Sequence, residues 1–456
     1  MIGSTALLLI APGASLLHAE PAAPAPVLPA DLVAAIQRDL GLTPTQYLDR
    51  AEAGQKLVTF ADSIRETFPV SFAGAWIDTA GTPLIGLADG PDKAAARTAV
   101  EAAGYQVKDQ PRSERTLLDQ LGQANSWIQQ LPAAMSRLVN GAVIDPVNND
   151  IALQVQNVDE AQGLQLPDFL QFVRTVLGPA FGSSDPTSPT TTPPTTKPPT
   201  TTPPTTTPPT TPPTTTPPTT TKPPTTTPPP TTTPPTTTPP IKPPAADAVL
   251  GGDRYNIGDG ASGRYCSFGF NATDRDGNVL NISAGHCDQK PDPSGSGTDV
   301  RVSSTDGRNL VGSFDKSVVN GNDDYAVIRI NDDAAGRFKN NFITTYGGDP
   351  LPITGTAAPV VGAPVCHSGA TTSFSCGVVT GVNQYINTGK AITKDAFATN
   401  MCGMQGDSGG PIMTGNKALG IAVGISDYEC GSSPKMWGAP INSILADNPG
   451  LKVRTK

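Results

Sequence analysis

A serine in Gly406-Asp407-Ser408-Gly409-Gly410-Pro411 and a histidine in Ser283-Ala284-Gly285-His286-Cys287, about 120 residues upstream, are the residues of this chain best suited to making and breaking bonds. A serine hydroxyl attacks poorly until a neighbouring imidazole takes its proton. The chain has only three histidines, His18, His286 and His367, so the search for a base is short. His18 falls in a leader-like stretch. His286 is flanked by small residues that let the backbone pack closely and by a cysteine that can fix the ring, so it is the expected base. Together they point to acyl transfer through a serine-bound intermediate.

Chain order narrows the architecture. Gly-Asp-Ser-Gly-Gly also satisfies the nucleophile elbow of α/β-hydrolases, but there the histidine follows the serine, and no histidine occurs after Ser408. A subtilisin-type order needs an aspartate before the histidine, in motifs this chain does not carry. The acid is therefore expected between His286 and Ser408. The best context is Asn322-Asp323-Asp324-Tyr325-Ala326-Val327-Ile328-Arg329-Ile330, whose apolar run predicts a buried strand. Adjacent residues of an extended chain point to opposite sides, so only one aspartate can serve. Asp324 is the expected acid and Asp323 the solvated one. The order His, Asp, Ser belongs to the chymotrypsin-like arrangement.

The stretch from about Val249 to Ile444 resembles the bacterial chymotrypsin-like serine proteases, the streptogrisin and α-lytic protease group. Gly251-Gly252-Asp253, Cys266-Ser267-Phe268-Gly269-Phe270, Ser283 to Cys287 and Asn322 to Arg329 carry the resemblance. So do Val365-Cys366-His367-Ser368-Gly369, Cys376-Gly377 and Cys402 to Pro411. It implies two six-stranded antiparallel barrels with the site in the crevice between them, and an oxyanion hole formed by the amides of Gly406 and Ser408. Short Val, Ile, Phe and Thr runs broken by Gly, Asn and Asp agree with closed β structure.

All six cysteines, at 266, 287, 366, 376, 402 and 430, fall in this part. Six cysteines admit fifteen pairings and spacing selects none. The resemblance implies Cys266 with Cys287, Cys366 with Cys376 and Cys402 with Cys430. The first would close a loop of about 20 residues, which corresponds to roughly 3 kcal/mol from unfolded-state entropy. Zinc fits poorly, because no Cys-x-x-Cys occurs. No metal or cofactor is expected.

Against the family pattern, four positions stand out. His367 occupies the place where bacterial relatives often carry an arginine paired with the aspartate before the serine, here Asp407. Either it takes that role or it is a polar surface histidine in a loop. In Ala418 to Ser426, the strand whose edge would pair with substrate, Val423 and Ile425 flank Gly424 where relatives have serine and glycine. Ile425 adds bulk where a substrate side chain would enter. Asn400 lies where trypsin-type relatives place an aspartate, so no fixed anion is expected there, and cleavage after uncharged, small to medium residues follows.

Two local patterns have simpler readings. Asp274-Arg275-Asp276-Gly277-Asn278 is like the start of a calcium loop but lacks the downstream glutamate, so a hairpin turn fits better. Asn271-Ala272-Thr273 and Asn281-Ile282-Ser283 match the glycosylation sequon, a frequent chance match.

The remaining elements must deliver and position this unit. Residues 1–19 are an apolar stretch ending in small residues, like a secretory signal peptide without its basic start. Secretion suits the cysteine count, with cell-envelope association as one variant; no later segment is apolar enough to span a bilayer. Residues 29–182 read as a small α+β domain. Leu32, Ile36 and Leu40 recur at helical spacing, and Thr43-Pro44-Thr45-Gln46 offers a cap, a first-turn proline and a capping-box glutamine. Ser71 to Leu87 and Ala142 to Val158 predict strand pairs turning at Ala80-Gly81 and Asn148-Asn149.

Arg38 to Pro44 weakly resembles the start of streptogrisin-type pro-regions, which would make this domain a folding aid and intramolecular inhibitor; an unrelated partner- or wall-binding domain is the other reading. Residues 186–244 are almost wholly proline and threonine and cannot form a core; as polyproline II this disordered linker could reach roughly 180 Å. The catalytic unit then spans 249–456. Net charge is −9 and the pI near 4.9, with no basic cluster to suggest nucleic acid. The expected partner is a protein or peptide substrate, and a silent stalk-borne scaffold retaining the fold is the alternative. Because His286 must be neutral to accept a proton, activity should fall below about pH 6.5.

Overall fold

Local sequence rules account for the first elements. Helix α1 (Ala30–Leu40) stops at Gly41, whose left-handed backbone (φ 64°) favours glycine. Helix α2 (Pro44–Thr67) begins at Thr43 with the predicted capping box: the Thr43 hydroxyl accepts from the Gln46 amide, and the Gln46 side chain accepts from the Thr43 amide. A hairpin, Phe72–Ile77 with Pro83–Ala88, follows, then helix α3 (Lys93–Ala102) and strand Gln106–Gln110, which returns parallel to the second hairpin strand. After helix α4 (Glu114–Gln130) the pattern repeats, with hairpin Val139–Asp145 and Asp150–Val155 and parallel strand Val173–Leu177. The predicted strand pairs and turns fall on these two hairpins.

The computed structural model describes residues 28–132, 135, 139–155, 173–177, 243–259, 263–304, 307–319, 323–387, 392–425, 430 and 434–456. The leader, Asn322 and the linker through residue 242 lie outside them.

Two β barrels follow. The ladder order of the first runs Lys452–Val453, Phe270–Thr273, Val279–Ser283, Asp324–Ile330, Gly307–Val319, Asp299–Ser304, Arg254–Ile257, Tyr265–Ser267. Tyr265–Ser267 and Phe270–Thr273 stand near opposite ends of that order yet are joined by Phe268-Gly269 alone, so they are two halves of one bent strand. The bend rolls the sheet into six strands, with Lys452–Val453 added outside. Gly269 permits it, since a β-carbon there would collide with the Ile282 carbonyl. In the second sheet Lys417–Ile425 pairs with both Pro411–Thr414 and Met436–Pro440, which closes a six-stranded ring through Pro364–Gly369, Ser373–Asn387 and Ile392–Thr399. In the first core Phe314 and Phe338 pack edge to face on Tyr255 and Phe268, which are themselves tilted at 42° to each other, and Phe397, Ile412, Leu419 and Met436 fill the second. Each such side chain contributes roughly 1.5–3 kcal/mol on burial.

The segment before the linker packs directly on the barrels, within one compact unit. Leu32, Ile36 and Tyr47 join the barrel core. Gln55 pairs its side-chain amide with both backbone groups of Ala358, at 3.0 Å each, as a strand neighbour would. The Ile77 amide donates to the Val361 carbonyl at 2.8 Å, and the Gly415 amide to the Tyr47 hydroxyl at 3.0 Å. At the end of α1, Arg38 donates to the Phe374 carbonyl at 3.0 Å and the Cys376 amide donates to Asp39 at 2.9 Å.

Candidate active site

The three expected residues come from three different elements. His286 lies on a short 3-10 turn, Gly285–Cys287, after strand Val279–Ser283. Gly285 makes that turn possible, because a β-carbon would strike the Val318 carbonyl and crowd that of Tyr325. Asp324 opens strand Asp324–Ile330, and Ser408 lies just before strand Pro411–Thr414 of the other barrel. The crevice between barrels is where they meet.

His286 Nδ1 lies 2.7 Å from Asp324 Oδ2, and its Nε2 lies 2.8 Å from Ser408 Oγ. The other carboxylate oxygen accepts the His286 amide at 3.0 Å, so Asp324 holds ring and backbone at once. The Asp324 side chain is 6% exposed and the imidazole 37%, which leaves the acid dry and the reactive ring edge on the cleft. An imidazole between a buried carboxylate and a hydroxyl is arranged to carry its proton on Nδ1 and accept one at Nε2.

The Ser408 loop is fixed from several sides. The Ser267 amide donates to the Ser408 carbonyl at 2.9 Å, and the Gly409 amide to the Ala422 carbonyl at 2.7 Å. Gly406 (φ 102°) and Gly409 (φ 82°) hold left-handed conformations that favour glycine. Among the described residues no backbone carbonyl accepts the Gly406 or Ser408 amide, which leaves two donors beside Oγ. A cavity of about 260 Å³ opens here, lined by Tyr265, His286, Gln405, Gly406 and Ser408. The disulfides are Cys266–Cys287, Cys366–Cys376 and Cys402–Cys430; the first ties the His286 turn to the strand whose Ser267 grips Ser408.

Asp407, 1% exposed, is satisfied by partners the sequence did not suggest: the amides of Thr371 (2.9 Å), Thr372 (3.0 Å) and Met404 (2.8 Å), and the Thr372 hydroxyl. His367 is no surface loop residue. It lies in strand Pro364–Gly369, fully buried, with Nδ1 3.2 Å from the Pro411 carbonyl and Nε2 without a partner among the described residues. Burial pushes its pKa below the usual value, against the opposing pull of Asp407. No ion pair joins the two among the described residues.

Asn400, expected where no fixed anion stands, is tied to the neighbouring strand. Its side-chain oxygen accepts the Val378 amide at 2.7 Å, and the residue also lines a cavity with Gly377, Cys402 and Met404. The same segment approaches Ile425 at Gly403, where a β-carbon would lie 3.0 Å from Ile425 Cγ2 and collide with Met436 Cε. Val423, Gly424 and Ile425 end strand Lys417–Ile425 directly beyond the Gly409–Ala422 bond. Asp274 accepts from the amides of Asp276 and Asn278, so the calcium-like stretch forms a hairpin turn. Thr371, Tyr265 and Ser267 were missed because hydroxyls scattered over loops carry no spacing signal.

The family model described as Trypsin matches residues 275–444. Streptogrisin-C of Streptomyces griseus is 32% identical over 206 residues, which is 45% of this chain and 41% of that protein. Serine protease 2 of Streptomyces fradiae is 33% identical over 165 residues, 36% of this chain and 88% of that one. Thermobifida fusca Protease A, a solved structure, is 28% identical with a TM-score of 0.38, covering 46% of this chain and all of that one. The chain thus spans under half the length of Streptogrisin-C.

Proposed function

This chain belongs to the trypsin family of chymotrypsin-like serine proteases, and from that premise we propose that it is a secreted serine endopeptidase made as a precursor. Ser408 attacks the scissile carbonyl while His286 Nε2 takes the hydroxyl proton. Asp324 keeps the imidazole in the required tautomer and stabilises the imidazolium that forms. The negative oxygen of the tetrahedral intermediate is held by the Gly406 and Ser408 amides. His286 returns the proton to the leaving amine, and water then releases the acyl group by the same steps in reverse. The observation that carries this reading is the unbroken relay from Asp324 Oδ2 through the imidazole to Ser408 Oγ, with both links at 2.7–2.8 Å.

The proposed cleavage preference is for uncharged, small to medium residues, because Ile425 and Met436 converge on Gly403. Asp407 supports the oxyanion loop through its four donors, with buried His367 behind it. The domain before the linker is read as a folding aid and intramolecular inhibitor, supported by its shared core and by the grip of Arg38 and Asp39 on strand Ser373–Asn387. Secretion is supported by the leader-like stretch and three disulfides. No helix among the described residues is long and apolar enough to cross a membrane.

A fluorophosphonate probe tests the central claim. It should label the chain at one serine, and Ser408→Ala should abolish labelling and lower peptide hydrolysis by at least about 10⁴-fold. Labelling that survives Ser408→Ala would refute the assignment.

A further inference from the structure

We propose that Thr371 is the pin that aims the oxyanion peptide, an inference that rests on the peptidase reading above. Thr371 lies in the short turn between strands Pro364–Gly369 and Ser373–Asn387. Its hydroxyl donates to the Gln405 carbonyl at 2.8 Å, and the Tyr265 hydroxyl lies 3.1 Å from Thr371 Oγ1. A threonine hydroxyl has one proton, already given to Gln405, so Tyr265 is the donor to Thr371. The Thr371 amide donates to Asp407 Oδ1 at 2.9 Å. One residue thus grips the carbonyl before Gly406 and the side chain after it.

Peptide geometry converts that grip into an aim. In a trans peptide the carbonyl and the N–H point in opposite directions, and no cis bond occurs among the described residues. Drawing the Gln405 carbonyl toward Thr371 therefore turns the Gly406 N–H away from it, leaving that amide free to serve an oxyanion. Among the described residues nothing else donates to the Gln405 carbonyl. The Tyr265 ring and Thr371 Oγ1 also fill the space beside Gly406 that a side chain would take: a β-carbon there would lie 2.5 Å from Oγ1 and collide with the ring. Released from this brace, the peptide can rotate, withdrawing a donor and offering a carbonyl oxygen in its place.

The turn bearing the pin is rigid. Cys366 and Cys376 are direct cross-strand partners joined by a disulfide, and the Gly369–Ser373 pair closes the hairpin above them. Ser373 holds a left-handed backbone (φ 63°). Thr371 touches no reacting atom, so it is a positioning residue.

The test compares Thr371→Val, which keeps the shape and removes the hydroxyl, with Thr371→Ser, which keeps the hydroxyl, in the full chain and beside Ser408→Ala. Thr371→Val is expected to lower kcat about 10- to 100-fold and slow fluorophosphonate labelling by the same factor, somewhat less than complete loss of one donor. KM should stay within about threefold and the acid limb of the pH profile should not move, because neither depends on where the Gly406 N–H points. Thr371→Ser should restore the rate to within about threefold. If Thr371→Val does not accumulate, Tyr265→Phe should give a smaller loss of the same kind. Labelling of Thr371→Val at the unsubstituted rate, or an equal loss in Thr371→Ser, would overturn the pin alone. An unsubstituted chain with no Ser408-dependent labelling, before or after proteolytic release of its N-terminal domain, would overturn the peptidase reading, and the pin with it.

Discussion

His367 Nε2 and Asp407 Oδ1 face each other across the space that Gly369 leaves empty: each lies 2.5 Å from the point where a Gly369 β-carbon would sit, yet no ion pair joins them. A methyl group at Gly369 would press on both at once. Gly369→Ala is therefore expected to displace the Asp407 loop and destabilise the fold by about 1–3 kcal/mol. Thermal unfolding and labelling rate together check this; an alanine variant with both unchanged would show that the loop tolerates the shift.

Burial fixes the sign of the pH response at His367. A folded pKa below the unfolded value means that the unfolded chain binds the extra proton first. The neutral form's contribution is complete above about pH 6.5 and is lost as pH falls from there through the lower folded value. Replacing the histidine by glutamine should flatten that part of the stability curve. Unfolding midpoints from pH 4 to 8 read the slope.

Asp253 acts in the opposite sense. Burial raises its pKa from 3.8 to about 6, against the Leu250 amide and Arg337, which favour the charge. The native state then binds the proton more tightly, so stability falls as pH rises from 3.8 toward 6. Asp253→Asn keeps an acceptor for the Leu250 amide, 2.8 Å away, and removes the buried charge. It should leave stability at pH 4 unchanged and raise it at pH 8 by at most about 3 kcal/mol. Equal effects at the two pH values would contradict the assignment.

Substrate choice should respond to Ile425. Ile425→Gly removes the Cγ2 that meets Gly403 and opens the strand end beside Ser408. Cleavage after phenylalanine or tyrosine should rise about 10- to 200-fold relative to cleavage after alanine. A peptide library reads the ratio, and an unchanged profile would place the selecting surface elsewhere.

At the docked N-terminal segment, Tyr47→Phe would leave the buried Gly415 amide without its acceptor, and Asp39→Ala would do the same to Cys376. Each should cost about 1–3 kcal/mol. Amide exchange at Gly415 and Cys376 should accelerate in the matching variant and not in the other.

The sequence by itself determined the candidate chemical groups and much of the local structure. Ser408 and His286 stand in short, glycine-bounded motifs, chain order excluded other serine-nucleophile arrangements, and the Thr43–Gln46 cap and two hairpin turns obey rules that act within a few residues. Tertiary structure alone decided the rest. Phe268-Gly269 bends one strand into two and closes a barrel, Asn400 turns to Val378, His367 goes into the core, and Asp407 finds its donors at Thr371, Thr372 and Met404. The physical reason is range. Capping, turns and strand patterning are satisfied by neighbours in the chain, whereas a buried carboxylate or carbonyl takes whichever donor the fold brings within 3 Å, and hydroxyls near in space but far in sequence leave no periodic mark.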